Sequence, residues 1–302
     1  MRVFCSSLLI ALALAPAALR ADRLEITYLG NEGFLLTDGE HTVLVDALFG
    51  EGLDGYPTVD PAIRGSMEAA EPPYDAVDIV LATHHHRDHF DPHAVARHLR
   101  NNPRAVFLST PQAITKMRSE VEGFAALEPR AHGILPEEGT RHSVRLVGLD
   151  IELLNLHHGR SRVPTVENLG FLFELGGSLL LHVGDTVATK EEFASLNLKE
   201  QGIDIAFLPS WLVAYDDWAG VASEGVGADE LIVMHLPVPD APDQFFAPFA
   251  GFNGLLEEIE SRHPTARLFY SGSIDRTEIS QPQRTPPRNP QQAAPGSSEN
   301  PS

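Results

Sequence analysis

The residues with the clearest chemical content form one short run, Thr83-His84-His85-His86-Arg87-Asp88-His89-Phe90-Asp91. His84 and His86 are two positions apart and can point the same way from an extended segment. Asp88 and His89, adjacent beyond a bend, can face a second point a few ångströms on. Two imidazoles converging on one cation, with a carboxylate and an imidazole converging on another, are donors suited to zinc and related borderline metals. His85 and Arg87 alternate outward from these donors and read as loop residues. The run follows the apolar segment Val77-Asp78-Ile79-Val80-Leu81-Ala82 and precedes Pro92, which opens a helix expected over 92–99 with Asp91 as its cap. It therefore occupies a loop at the C-terminal end of a strand, where binding groups are commonly mounted.

The elements that must hold this loop can be read from the spacing of apolar runs. Runs at 24–29, 34–37 and 42–46 are separated by Gly30-Asn31-Glu32-Gly33 and Asp38-Gly39-Glu40, which predicts three strands joined by turns. Strands over 77–83 and 105–109 and a helix over 111–118 follow. Alternation over 143–156, and the pairing of 171–175 with 179–183 across Gly176-Gly177, predict a second sheet. A helix near 190–198, strands over 203–208 and 231–235, a helix over 245–262 and a last apolar run at 266–270 complete the pattern. Two strand-rich halves with helices predict an α/β fold of two packed sheets carrying helices on their outer faces, a four-layer αββα sandwich.

The ends of the chain differ from this body. Residues 1–21 combine a basic start, an apolar run and a small-residue end, the features of a secretory signal peptide that is removed on export. The only cysteine, Cys5, lies within it, so a metal site in the mature chain must use His, Asp or Glu. Residues 22–275 are expected to form the domain, and 276–302 a disordered tail rich in Pro, Gln and Ser. Acidic residues outnumber basic ones, 42 against 22, for a formal charge of −20. Such a surface repels polyphosphate backbones, which excludes a dedicated nucleic-acid binder.

The pattern H-x-H-x-D-H resembles the signature of the metallo-β-lactamase superfamily. Leu156-His157-His158-Gly159 resembles that family's third-histidine segment, and Leu181-His182-Val183-Gly184-Asp185-Thr186 its Gly-Asp-Thr element. Ile232-Val233-Met234-His235-Leu236-Pro237 resembles its last ligand motif, so the likeness spans 24–270. The resemblance implies a first metal on His84, His86 and either His157 or His158. It implies a second on Asp88, His89 and His235, with Asp185 bridging. Strand alternation places Leu154, Leu156 and His158 on one face and Asn155 and His157 on the other, which favours His158. Asp46 resembles the family's first-motif aspartate, a plain turn residue being the alternative. His182 faces away from Asp185 and is expected to be structural. His41, His93, His98, His132, His142 and His263 read as surface residues.

What the resemblance implies about activity is an exported hydrolase with two divalent ions, zinc first and manganese or iron as alternatives. A hydroxide bridging the ions would cleave an ester, lactone or phosphodiester, with Asp88 and Asp185 as the catalytic carboxylates. Within the superfamily the likeness is to the branch of ascorbate-phosphate lactonases and N-acyl-phosphatidylethanolamine phospholipase D. A non-catalytic metal-binding protein and a β-lactam hydrolase are the alternatives, and Asp185 counts against the latter. The expected partner is a small-molecule substrate, in the periplasm or medium, with no stable membrane insertion after signal removal. Specificity is expected from loops at 48–67 and 211–228, although packing against the sheet, rather than substrate contact, is the favoured reading for each of their aromatics Tyr56, Trp211, Tyr215 and Trp218.

Overall fold

A computed structural model describes residues 23–159, 166–270 and 275–280. The expected signal peptide and most of the expected tail lie outside the described residues.

The first half builds strands β1 (Arg23–Gly30), β2 (Gly33–Thr37), β3 (Thr42–Val45), β4 (Ile79–Leu81), β5 (Val106–Ser109) and β6 (Ala131–Gly133). The second builds β7 (Arg141–Leu146), β8 (Leu149–Asn155), β9 (Leu169–Leu175), β10 (Ser178–His182), β11 (Ile205–Pro209), β12 (Glu230–Met234), β13 (Arg267–Leu268) and β14 (Asp275–Ser280). They form two seven-stranded sheets, ordered β14-β1-β2-β3-β4-β5-β6 and β13-β12-β11-β10-β9-β8-β7. In the first sheet β1, β2 and β3 pair antiparallel and β3 to β6 parallel; in the second β7 to β10 pair antiparallel and β10 to β13 parallel.

Side-chain alternation sorts the layers. Leu24, Ile26, Phe34, Leu36, Val43, Val45, Ile79 and Leu81 face the second sheet and pack with its Leu153, Phe171, Phe173 and Phe207. Their neighbours Leu35, Leu44, Val80 and Phe107 face the other way, onto helices α1 (Pro61–Ala69), α2 (Pro92–Asn101) and α3 (Pro111–Glu120). Helices α4 (Lys190–Ser195), α5 (Ser210–Ala214) and α6 (Gly251–Arg262) pack Phe193, Leu212 and Ile259 with the second sheet. The expected four-layer αββα sandwich is the observed architecture.

Helices α1, α2 and α3 open alike. Asp60, Asp91 and Thr110 accept hydrogen bonds from first-turn amides, and Pro61, Pro92 and Pro111 occupy the first helical position.

Four expectations need correction. The segment 48–67, read as a loop, contains the start of α1, although Asp60-Pro61 carries the same start signal as α2. Most of 211–228 is likewise helical, in α5 and two short turns at Asp216–Trp218 and Val221–Val226. The tail boundary at 276 falls inside β14, whose residues pair antiparallel with β1 from Arg23↔Ser280 to Tyr28↔Asp275. A strand at a sheet edge can be held by its backbone ladder, so polar composition hid it. His98, read as a surface residue, is fully buried, and its Nδ1 donates to the Met67 carbonyl at 2.7 Å, tying α2 to α1.

Candidate metal centre

The loop 83–91 leaves β4 at the seam between the two sheets, and most of its side chains turn inward, Arg87 being exposed. His84, Asp88 and His89 are buried. From the second sheet, three separate strand ends face them. His158 lies just past β8, bridged to Thr186. The neighbouring His157 carbonyl accepts from the Thr186 hydroxyl at 2.8 Å and from the Val187 amide at 2.9 Å, which zips this segment to the one carrying Asp185. Asp185 follows β10, and His235 follows β12.

Two donor sets result, each with atoms within 4.8 Å of one another: His84, His86, His158 and Asp185, and Asp88, His89, Asp185 and His235. Asp185 belongs to both. In the first set, His84 Nε2 and His158 Nε2 each stand 3.8 Å from Asp185 Oδ2. In the second, His89 Nε2 lies 3.4 Å from Asp88 Oδ2 and from Asp185 Oδ2, and His235 Nε2 3.4 Å from Asp185 Oδ1. Donors about 2.1 Å from a shared tetrahedral cation stand about 3.4 Å apart, so these spacings fit metal ions. The atoms aimed inward fit too. His89 Nε2, His158 Nε2, His235 Nε2, Asp88 Oδ1 and Asp185 Oδ1 are buried with no hydrogen-bond partner. A buried lone pair left bare is costly, and a cation satisfies several at once.

The structure thus brings together all seven residues expected as ligands. His158 joins the first set, while His157 faces a different group with Glu138 and Glu192. That group has a plainer role, since Glu192 closes a capping box with Thr189 at the start of α4.

Asp46 orients the loop. Its Oδ1 accepts from the Thr83 amide at 2.7 Å, and its Oδ2 from the Thr83 hydroxyl at 2.6 Å and His89 Nδ1 at 2.9 Å. His84 Nδ1 in turn lies 3.0 Å from the Thr83 hydroxyl. With both Nδ1 atoms donating, the Nε2 lone pairs of His84 and His89 are left for a metal, the usual carboxylate-backed arrangement.

Three non-glycine residues of the site hold left-handed backbone: Asn31 (φ 46°), Asp46 (φ 44°) and His235 (φ 49°). Such conformations cost about 1–3 kcal/mol each and persist where the surroundings impose them. The Asn31 carbonyl accepts from the His235 amide at 3.4 Å, and its Nδ2 donates to the Asp88 carboxylate at 3.3 Å. Asn31 is thereby a tie between the two sheets.

Without cations the cluster holds protons instead. Burial works against a charged His235, yet the Asp185 and Asp88 carboxylates together outweigh it and raise its pKa to about 9. His89 is raised for the same reason, by Asp185 and Asp88. Burial also opposes a charged Asp88, but His89 and His235 hold its carboxyl far below the usual range.

Sequence reading missed Asn31 and Glu32, because Gly-Asn-Glu-Gly between two apolar runs reads as a turn. The informative signal was an acid with no exposed face to occupy. Glu32 is completely buried. Of the aromatics, Trp218 packs as expected, but Tyr56 and Trp211 stand edge-on to His235 with ring centroids at 4.3 and 5.0 Å and wall the second position. Beside the first position opens a cavity of about 600 Å³, lined by His157, His158, Gln112, Asn155, Leu156 and Leu196, among others.

Comparison with known proteins gives the family. The family model described as the β-lactamase superfamily domain matches residues 25–211. A UPF0173 metal-dependent hydrolase of Symbiobacterium thermophilum is 30% identical over 70% of this chain and 84% of its own. Among solved structures, the isothiocyanate hydrolase from Delia radicum gut bacteria superposes with a TM-score of 0.57 at 16% identity, covering 84% of this chain and all of its own. Igni18, a metallo hydrolase of Ignicoccus hospitalis, gives 0.55 at 19% identity over 85% of this chain and 99% of its own. The chain belongs to the metallo-β-lactamase superfamily and is one of its metal-dependent hydrolases.

Proposed function

We propose that the protein is a dinuclear hydrolase that cleaves an ester, lactone or phosphodiester bond of a small exported or extracellular metabolite. The observation that carries this reading is the sharing of Asp185 between two otherwise complete donor sets. His84, His86 and His158 would hold one divalent ion, and Asp88, His89 and His235 the other, with zinc the first candidate from the imidazole-rich donors. Two ions so held would activate water as a nucleophile at neutral pH and polarise the acyl or phosphoryl oxygen under attack.

The chain's own groups do the rest. Asp46 and Thr83 fix the imidazoles that face the ions. Asp185, placed between the sets, can accept the proton of the attacking water. Tyr56 and Trp211 shield His235 from solvent, and the cavity beside His158 supplies room for the substrate. Export is part of the proposal. It is supported by the basic, apolar and small-residue order of 1–21 and by the absence of cysteine from the rest of the chain.

Elemental analysis of the purified chain, with a panel of chromogenic esters, lactones, phosphodiesters and a cephalosporin, tests this. About two transition-metal ions per chain and chelator-sensitive hydrolysis of one ester-like class are expected. A protein that takes up no metal at neutral pH, or one that takes up two and is inert to the panel, contradicts the reading.

A further inference from the structure

Glu32 is a buried acid that the proposed reaction leaves without a use. It sits in the turn between β1 and β2, where only a short link is required. Its side chain is nevertheless wholly buried, and neither carboxylate oxygen has a hydrogen-bond partner. Its Oε2 lies 3.8 Å from His89 Nδ1. Asp46 and a ring nitrogen of His182 complete a fully buried group with donor atoms within 4.8 Å of each other. The Asp185 carboxylate also acts on it at close range. No lysine or arginine pairs with it among the described residues.

Burial and the neighbouring Asp185 favour the neutral form of Glu32 in the absence of cations, so it is ionised only opposite positive charge. Asp46, Asp88 and Asp185 together carry three negative charges against the four positive charges of two divalent ions. Glu32 supplies a fourth before any hydroxide is bound. In a closed site of low dielectric, that balance favours retention of both ions.

We infer that Glu32 is a positioning residue of the metal centre, a carboxylate placed behind His89 and beside Asp185 that retains the second cation through its charge. The inference rests on the two-ion reading above.

The test uses metal affinity and needs no substrate. Mature wild-type protein, Glu32→Gln and Glu32→Ala are stripped of metal, then titrated with Mn²⁺ and with Zn²⁺ against a competing chelator. In Glu32→Gln, the first ion should bind as in wild type and the second about 10–100-fold more weakly, in line with losses of outer ligand support. The loss should appear with both Mn²⁺ and Zn²⁺, which carry the same charge, and Glu32→Asp should restore part of it. A purely structural role would not spare the first ion or give that rescue. Retention of the first ion and an unchanged circular dichroism spectrum report folding, and Glu32→Ala replaces Glu32→Gln if the latter misfolds. Two ions in wild type with no loss in either variant overturn the role of Glu32 alone. One ion or none in wild type overturns the two-ion reading and this inference together.

Discussion

The first sheet delivers His84, His86, Asp88 and His89 on a single loop after β4, whereas the second delivers His158, Asp185 and His235 from three separate strand ends. The loop's ligands share one local support, since Asp46 holds Thr83 by two hydrogen bonds and His89 by a third. Those of the second sheet come from separate strands, with His158 and Asp185 tied by the bridge to Thr186. Their placement relative to the loop depends on how the two sheets register on each other, through contacts such as the Leu169 amide donating to the Thr83 carbonyl at 2.9 Å. One half of the centre is therefore preassembled by sequence, and the other half is assembled by packing.

Asp185 is the strictest test of that contrast, because a single residue of the dispersed half serves both donor sets. Asp185→Asn keeps size and shape but removes the charge that the two donor sets share. It should weaken both and lower kcat by about 100-fold or more on the best substrate of the panel. Asp88→Asn, from the loop, touches only the second set and should leave the first ion bound. Elemental analysis of the two variants side by side decides the matter. Equal metal loss in both would mean that the two sets do not differ as described.

A smaller effect is expected where the halves meet. Gly184, next to Asp185, holds φ +63°, and a Cβ there would stand 2.6 Å from Asn168 Oδ1 and 2.7 Å from both Thr83 Cβ and Thr83 Oγ1. Gly184→Ala thus combines a left-handed backbone with a clash against the residue that orients the ligand loop. Roughly 2–4 kcal/mol of stability should be lost. Metal affinity should fall as well, because Thr83 and Asp185 move apart. Chemical denaturation with and without metal measures both, and a variant as stable as wild type would show that the seam tolerates adjustment.

The same contrast explains what the sequence makes legible. The ligand loop is visible because its donors are consecutive and follow an apolar strand into a capped helix. His158, Asp185 and His235 each look like an isolated residue, and resemblance to a family joined them before geometry did. Alternation favoured His158 over His157, and the structure places His158, the residue bridged to Thr186, in the first donor set. It was silent on Glu32 and Asn31, whose significance lies in what the second sheet places over the turn. His98 was misread for a related reason. Polar helix faces are usually solvated, yet α2 is covered by α1 on the side that carries His98.

His98 offers the mildest test, on a buried histidine of the first half that has no part in the metal centre. Its Nδ1 donates to Met67 at 2.7 Å, while Nε2 is buried without a partner. Burial, with a smaller contribution from the positive charge of Arg130, lowers its pKa, and the bond to Met67 only partly opposes this. A histidine whose folded pKa is depressed binds protons more readily when unfolded. Its contribution is therefore complete above the unfolded value near ~6.5 and declines as pH falls through that value toward the folded one. Metal-free wild type should lose melting temperature between pH 7.5 and 5.5 more steeply than His98→Gln, which cannot titrate. The metal-site histidines are common to both proteins, so the difference between the two slopes isolates His98. Parallel slopes would mean that α1 and α2 admit water around the ring, and that burial in the first half does not extend beyond the ligand loop.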